Sequence, residues 1–258
     1  MPVQRPFPET GPPRDPPDAA DPLPLLRTVL AGGRRAARHA LLRGDGSADP
    51  ELRARLDAVP GTAIEPVLAW LSQPRHFLVG CDDPRYPPLL RQMPSPPLAL
   101  FVDGDPDLLW RPALAVVGSR AASAGGRDHA RLFAAALGRA GLAVASGMAV
   151  GIDAAAHEAA LGTAGGTIAV LGTGPDLAYP ERHAALRDRI AAHGAVVSEH
   201  PPGTQARAWQ FPGRNRIIAG LSLGTLVVEA ALRSGALITA RQAAEAGREV
   251  FAIPGSIH

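Results

Sequence analysis

The sequence predicts an α/β protein whose doubly wound parallel sheet is preceded by a small helical domain. Two observations carry this prediction. From residue 113 onward, short apolar runs alternate strictly with segments of helical period, as in chains that build parallel sheets from successive strand–helix units. The apolar runs are also unbroken by polar residues, which is typical of strands that are buried on both faces.

The first 75 residues are organised differently. Residues 1–24 contain nine prolines, and this composition predicts a disordered leader. Residues 25–75 carry apolar side chains at helical spacing, in short pieces separated by Gly, Asp and Pro. This pattern predicts a small helical domain of the SAM-like type. Such bundles serve as adaptors or only as packing, and the sequence leaves both roles open.

Residues 76–258 are predicted to form the sheet domain. Two short strands come first, at Phe77–Val79 and Leu98–Val102, and the segment Asp82–Leu90 between them is too rich in proline for a regular element. The further predicted strands are Leu114–Val117, Leu142–Ala145, Thr167–Leu171, Ala195–Ser198, Leu226–Glu229 and Val250–Ile253. The predicted helices are Gly126–Ala140, Asp153–Leu161, Arg182–Ala192, Asn215–Leu221 and Leu237–Ala246.

The composition argues against several classes of protein. The sequence holds no apolar run of about 18 residues, so no membrane span is predicted. Cys81 is the only cysteine, which rules out a disulfide framework or a cysteine zinc site within one chain. A cytoplasmic protein fits these features. All 26 basic residues are arginine and the net charge is only +2, so a nucleic acid would have to bind a local patch.

Small and polar residues follow five of the predicted strands. In doubly wound sheets, ligands bind outside the carboxyl ends of the strands. Glycine lets a phosphate approach the backbone, and Ser or Thr hydroxyls add donors. We therefore predict a polyanion or a nucleotide-sized ligand at this rim. The loops are Gly118–Arg120, Ser146–Asp153, Gly172–Gly174, Ser198–His200 with the following Arg214–Arg216, and Glu229–Gly235.

Arg214 and Arg216 stand at the predicted start of a helix, where guanidinium groups and free backbone N–H groups can hold phosphate. The alternative is an arginine pair that caps a helix at the surface. Both readings treat these side chains as exposed, so their replacement is expected to leave thermal stability nearly unchanged.

Other chemistries are less well supported. The dinucleotide-binding pattern of glycines is missing, a lysine-containing phosphate loop is impossible, and no Ser/His/Asp triad is readable. Asp153 and His157 share one helix face, but without a third metal ligand Asp153 is better explained as a helix N-cap with His157 bonded nearby. Glu229 is either a general base or, more often for such a carboxylate, a group that orients an arginine or a backbone N–H.

Taken together, the motifs resemble those of the DNA-processing protein A family (DprA/Smf). The resemblance covers roughly residues 77–258 and is highly specific. The matching motifs are Asp83–Leu90, Val116–Arg120, Ser146–His157, Thr167–Leu171, Tyr179–Pro180, Ser198–Gly203, Phe211–Ser222, Val228–Ala230 and Ser234–Ala240.

The resemblance implies an extended Rossmann-type domain that binds single-stranded DNA, acts as a homodimer and loads the RecA recombinase onto incoming DNA during natural transformation. It implies no catalysis, cofactor, metal or membrane contact. Phe211 would offer a face for a base. The residues expected at the DNA are Gly118, Ser119, Arg120, Ser146, Gly147, Gly151, Asp153, Phe211, Arg214, Asn215, Arg216, Glu229, Ser234 and Gly235.

The chain departs from the family in two places that are expected to meet phosphate. The family usually carries Arg where this chain has Val150, and often a basic residue where it has Gly213. Either Arg127, Arg207 or Arg233 substitutes for these charges, or the chain binds DNA weakly. The sequence also stops shortly after the motif at residues 251–256, where family members usually continue with a dimerisation helix and often a winged helix, as expected for a fragment or a truncated member.

Two alternatives from other classes remain. Related Rossmann-type enzymes hydrolyse the N-glycosidic bond of nucleoside monophosphates with a glycine-rich loop and a following Glu. Leu223–Thr225 and Glu229 are similar to that arrangement, although the Pro-Gly-Gly of the loop is missing. The second alternative is a nucleotide-sensing module that does not bind DNA.

Overall fold

The N-terminal helices pack on the edge of the sheet. The structure is a computed structural model that describes residues 21–32, 50–232 and 234–255. Its first helices are α1 (Leu23–Ala31), α2 (Pro50–Asp57) and α3 (Gly61–Leu71). Leu26 of α1 and Trp70 of α3 form one apolar cluster with Phe101 of the sheet. The helical segment is therefore packed directly on the α/β domain.

The predicted leader lies mostly outside the described residues, at 1–20. Its last two residues, Leu23 and Pro24, already belong to α1, so the helix starts earlier than predicted. Proline is compatible with the first turn of a helix because the N–H that it lacks would have no intrahelical partner there.

The sheet has eight strands in the order β1-β2-β6-β5-β4-β3-β7-β8. From β3 to β8 the neighbouring strands run parallel, while β1 and β2 join antiparallel beside β6. The prediction of an α/β doubly wound sheet is confirmed. The strands are β1 (His76–Gly80), β2 (Ala99–Gly104), β3 (Ala113–Val117), β4 (Ala143–Ser146), β5 (Thr167–Val170), β6 (Ala195–Ser198), β7 (Gly224–Val227) and β8 (Glu249–Ala252).

Helices cover both faces of the sheet. One apolar layer joins the sheet to α4, α8 and α9, and the layers on the other face join it to α5, α6 and α7. These helices are α4 (Pro88–Arg91), α5 (Ala124–Arg139), α6 (Ile152–Ala160), α7 (Ala184–His193), α8 (Gln210–Leu221) and α9 (Gly235–Glu245). Short 3₁₀ helices span Pro106–Trp110 and Glu181–His183.

Two helix predictions were wrong. The proline-rich segment after β1 contains the short helix α4, whose first residue is Pro88; proline suits that position because its φ is already helical. Helix α8 starts at Gln210, five residues before the predicted start at Asn215, because Pro212 falls within the first turn and does not interrupt it.

The order of the strands defines where a ligand can enter. The chain runs outward from β3 through β4, β5 and β6, and then returns to add β7 and β8 on the other side of β3. The loops that follow β3 and β7 therefore diverge to opposite faces of the sheet and leave a crevice between them.

Candidate functional site

A cleft of about 610 Å³ opens at the carboxyl ends of β3 and β7, at the crevice that the strand order creates. Its walls come from the loop after β3, the start of α8 and the start of α9. Nine of the predicted site residues line it: Gly118, Ser119, Arg120, Asp153, Phe211, Arg214, Asn215, Ser234 and Gly235.

A row of two aromatic rings and one guanidinium lies along the mouth of the cleft. The ring of Phe211 is 4.9 Å from that of Tyr179, measured between centroids. The Cζ atom of Arg120 lies 5.9 Å from the Phe211 centroid, within the range of a cation–π contact. Arg120 and Tyr179 are exposed and Phe211 is half-buried. The row presents a cation and π faces to the same solvent-filled space.

Arg214 is not the exposed cation that the sequence predicted. Arg214 is only 4% exposed to solvent. Its Nη1 donates to the carbonyl of Gly147 at 2.7 Å and to the carbonyl of Val170. Nε donates to Oδ1 of Asn215 at 3.1 Å. Burial lowers the pKa of Arg214 to about 10, so the guanidinium remains charged at neutral pH. These donors are directed at the protein itself, two at backbone carbonyls and one at a side-chain amide.

Asp153 holds the other side of the same loop. One carboxylate oxygen accepts from the backbone N–H of Gly147 at 3.2 Å and from that of Ala149 at 3.3 Å. Arg214 binds the carbonyl of Gly147 and Asp153 binds its N–H, so the two side chains fix one glycine from both ends. Burial raises the pKa of Asp153, and the charge of Arg214 opposes this shift.

The loop fixed in this way is strained and tightly packed. Met148, between the two anchored residues, is fully buried at a φ of 57°, a region that residues other than glycine rarely adopt. A Cβ at Gly147 would collide with the guanidinium of Arg214. Gly151 has a φ of 85°, and a side chain there would collide with the carbonyl of Ser119. The loop depends on these glycines for its contacts.

The prediction that Asp153 is the N-cap of α6 was wrong. Gly151 takes that position and Asp153 is the second residue of the helix. His157 is fully buried and its Nδ1 lies 2.7 Å from Oγ1 of Thr167. Burial lowers the pKa of His157 to about 3, which keeps the ring neutral. Within the described residues, no three potential ligands are grouped so as to hold a metal ion.

Arg216 is also buried, at 9% exposure, and its Nη2 donates to Glu199 at 2.6 Å. The prediction that Arg214 and Arg216 are exposed was therefore wrong. Because α8 begins at Gln210, both lie beyond its first turn, where backbone N–H groups are already used within the helix. The free backbone N–H groups of the predicted phosphate site therefore do not lie at these two residues.

Asn215 and Ser234 have structural contacts at the walls of the cleft. Nδ2 of Asn215 donates to the carbonyl of Gly235 at 3.3 Å, which ties α8 to the first residue of α9. Oγ of Ser234 accepts from the N–H of Ala236 at 3.1 Å and caps α9. Asn215 thus links the two helices, and Ser234 starts the second one.

Glu229 binds the backbone rather than facing the cleft. Its carboxylate accepts from the N–H of Ser123 at 3.1 Å and from the hydroxyl of Ser123 at 2.6 Å. These hydrogen bonds lower its pKa, the opposite of what a general base near neutral pH requires. The interpretation of Glu229 as a group that orients a backbone N–H agrees with this geometry.

Five predicted residues lie outside the lining of the cleft. Ser146 is buried and its hydroxyl donates to the carbonyl of Val116 at 2.6 Å. The others are Gly147, Gly151, Arg216 and Glu229, described above. They shape the loops around the cleft without forming its surface.

Sequence reasoning missed several contributors. The sequence predicted Tyr179 only as part of a motif, and it gave no prediction for Ala149 and Ala208, which line the cleft. The sequence pattern does not indicate which small residues line a cleft. Trp209, directly before α8, is 59% exposed; its side-chain type next to Phe211 was the available signal.

The two positions that lack the family's basic residues are accessible. Val150 and Gly213 are half-buried. Gly213 lies inside α8, its φ is not positive, and a Cβ there would meet nothing within 4 Å. The glycine is thus not required by the backbone. Of the proposed substitutes, Arg127 donates to the carbonyl of Ala122, Arg207 is exposed, and position 233 lies outside the described residues.

Comparison with known proteins gives a consistent result. The family model of DNA recombination-mediator protein A matches residues 77–258. Protein Smf of Escherichia coli is 51% identical over 204 residues, which cover 79% of this chain and 54% of that protein. DNA processing protein DprA of Streptococcus pneumoniae is 50% identical over 175 residues, 68% of this chain and 62% of the relative. The chain thus spans little more than half the length of these relatives.

Solved structures show the same likeness. The structure of DprA from Streptococcus pneumoniae matches with a TM-score of 0.73 and 39% identity, over 91% of this chain and 83% of that one. DNA processing protein A of Helicobacter pylori, described for its single-stranded DNA binding mode, matches with a TM-score of 0.63 and 29% identity, over 67% of this chain and 79% of that one. Among the described helices, none is both long and apolar enough to cross a membrane.

Proposed function

Because the chain belongs to the DNA recombination-mediator protein A family, we propose that it binds single-stranded DNA in the cleft between β3 and β7. The observation that carries the proposal is the row of Arg120, Phe211 and Tyr179 at the mouth of the cleft. Splayed bases stack on aromatic rings irrespective of their sequence, and a guanidinium binds phosphate or stacks on a base. A rigid duplex does not offer its base faces in this way.

The geometry divides the predicted residues into two groups. Arg120, Phe211 and the backbone around Gly118 and Ser119 face the cleft and are proposed to contact the strand. Arg214 and Asp153 also line the cleft, but they are buried and hold the loop 147–149 in shape. Removal of the first group should weaken binding without unfolding, whereas removal of the second should affect the fold.

Few cations face this cleft. Of the described residues that line it, Arg120 is the exposed arginine and Arg214 the buried one. A cleft with one accessible cation is expected to bind mainly through stacking, with a salt slope close to that of one phosphate contact, about −0.7 for a single strand. The family usually has two further basic residues, at the positions where this chain has Val150 and Gly213.

The proposed role is binding rather than catalysis. The carboxylate of Glu229, the group that an N-glycosidase mechanism would need, is bound to Ser123 and has a lowered pKa. In line with the family, we further propose that the bound strand is protected and passed to a RecA-type recombinase.

A homodimer is proposed on the exposed edge of the sheet. All four residues of β8 are exposed, among them Val250 and Phe251, and Leu237 of α9 is also accessible. An apolar strand at a sheet edge presents unpaired backbone groups and is normally covered. Sedimentation of the purified chain with and without Val250→Glu tests this: a monomer in both cases contradicts the dimer.

The test of DNA binding is a salt titration with an oligothymidylate and a duplex of equal length. The parent protein should prefer the single strand. Arg120→Ala should weaken binding and reduce the magnitude of the slope by about 0.7. The control is Arg241→Ala, on the exposed side of α9 and paired with Glu245, which should change neither quantity. Equal affinity for both nucleic acids, or no effect of Arg120→Ala, contradicts the proposal.

A further inference from the structure

Trp209 is a large aromatic residue that neither the core nor the helix explains. It is 59% exposed, whereas Trp70 is buried and Trp110 half-buried. Tryptophan is on average strongly buried, since its ring carries a large apolar surface. It occupies the N-cap position of α8 but makes no side-chain capping bond, and Trp is not among the residues that cap helices well.

The surroundings of Trp209 belong to the same rim as the cleft. Ala208 and Phe211, on either side in the chain, both line the cleft. Residues 205–209 form an exposed loop that also carries Arg207. The ring of Trp209 makes an edge contact with His200, at 5.9 Å between centroids, and His200 follows the carboxyl end of β6. Trp209 is thus beside the cleft but not part of its lining.

Trp209 and Phe211 leave the helix in different directions. Trp209 already has helical dihedral angles, with φ −71° and ψ −20°, and two residues of an α-helix turn about 200° around its axis. One base cannot stack on both rings. A strand that reaches both must continue out of the cleft and pass over the start of α8.

We propose that Trp209 is a second base-stacking site, for a nucleotide of the single strand that has left the cleft, and that Arg207 meets a phosphate beside it. This rests on the proposed function of the cleft. Stacking on an exposed ring suits a flexible strand of any sequence, and an exposed arginine one residue from the cleft lining supplies the cation. The binding site then extends from the mouth of the cleft along residues 205–209.

The proposal predicts a dependence on strand length. Binding is measured for a short oligothymidylate of about four nucleotides and for a long one of about sixteen. Trp209→Ala should bind the short strand as the parent does and the long strand about tenfold more weakly or worse, the loss that removal of one stacked base causes. Trp209→Phe should retain most of the affinity. Leu132→Ala, an exposed apolar residue of α5 outside the cleft, is the control.

A second readout comes from the indole itself. The fluorescence of Trp209 should be quenched by the long strand and not by the short one, and Trp209→Phe should abolish that change. If Trp209→Ala binds both strands like the parent, or loses affinity for both equally, the second site is refuted while the cleft stands. If the parent binds neither strand, the proposed function fails and the second site with it.

Discussion

Replacement of Arg214 by methionine is expected to destabilise the protein, although the sequence alone suggested an exposed residue. The change leaves the carbonyls of Gly147 and Val170 without the guanidinium donor, at about 1–3 kcal/mol for each unsatisfied buried group. It also removes the nearby positive charge that opposes the burial penalty of the Asp153 carboxylate. Because one relaxation relieves both losses, we expect about 3–5 kcal/mol in total, or about 10 °C in Tm.

The loss should depend on pH through Asp153. Burial raises the pKa of this carboxyl in the folded protein, and Arg214 opposes the shift, so the pKa should rise further in the variant. A carboxyl with a raised pKa in the folded state stabilises the protein fully below its unfolded pKa, and this contribution is lost as pH rises through the folded pKa. Arg214→Met should therefore be less destabilising at pH 5 than at pH 8.

Thermal unfolding followed by circular dichroism at both pH values measures the effect. Arg241→Met, which removes an exposed arginine 3.7 Å from Glu245, should change Tm little. The double variant of Arg214→Met with Asp153→Asn should lose less than the two single variants together, because the uncompensated charge is gone. The reasoning is refuted if Arg214→Met melts with the parent, or if its loss is the same at pH 5 and pH 8.

Two further predictions concern the rim. Val150→Arg and Gly213→Lys should each steepen the salt dependence of oligothymidylate binding by about 0.7. Gly213→Lys should also leave Tm unchanged or raise it, since the position is helical and open. An unchanged slope would mean that neither position faces the strand. Glu229→Gln should lower Tm at pH 7, because the hydrogen bonds from Ser123 lower the pKa of Glu229. The stabilisation from a lowered pKa is present above the unfolded pKa and is lost as pH falls through the folded pKa. An equal loss of Tm at pH 7 and pH 3 would contradict this prediction.

The sequence predicted the sheet well because the strands are short, wholly apolar and separated by helices. The strand at Ala195–Ser198, for example, has the predicted bounds. The predicted start of α8 was five residues too late. Pro212 lies in the first turn, where it removes no hydrogen bond, so the helix already begins at Gln210.

The position of the candidate cleft was predicted more accurately than the burial and contacts of the residues around it. Loops at strand ends must meet at one rim, so Gly118, Ser119 and Ser234 could be assigned from the chain alone. The burial of Arg214 depends on its contact with Gly147, 67 residues away in sequence, and no local pattern encodes such a contact. Arginine is usually exposed, so the default prediction failed for Arg214, where Gly147 makes room for the guanidinium, and for Arg216, which pairs with Glu199.

The pairing of β7 with β3 has a consequence during synthesis of the chain. Leu114 of β3 pairs with Gly224 of β7, so the crevice between them cannot exist until the later strand has left the ribosome. Domains begin to fold from the N-terminal side as they emerge, and β3 to β6 can assemble while β3 still has an open edge. A nascent chain at that stage has one wall of the cleft and no opposite wall, and nucleic acid cannot occupy the site before the second half of the sheet has docked.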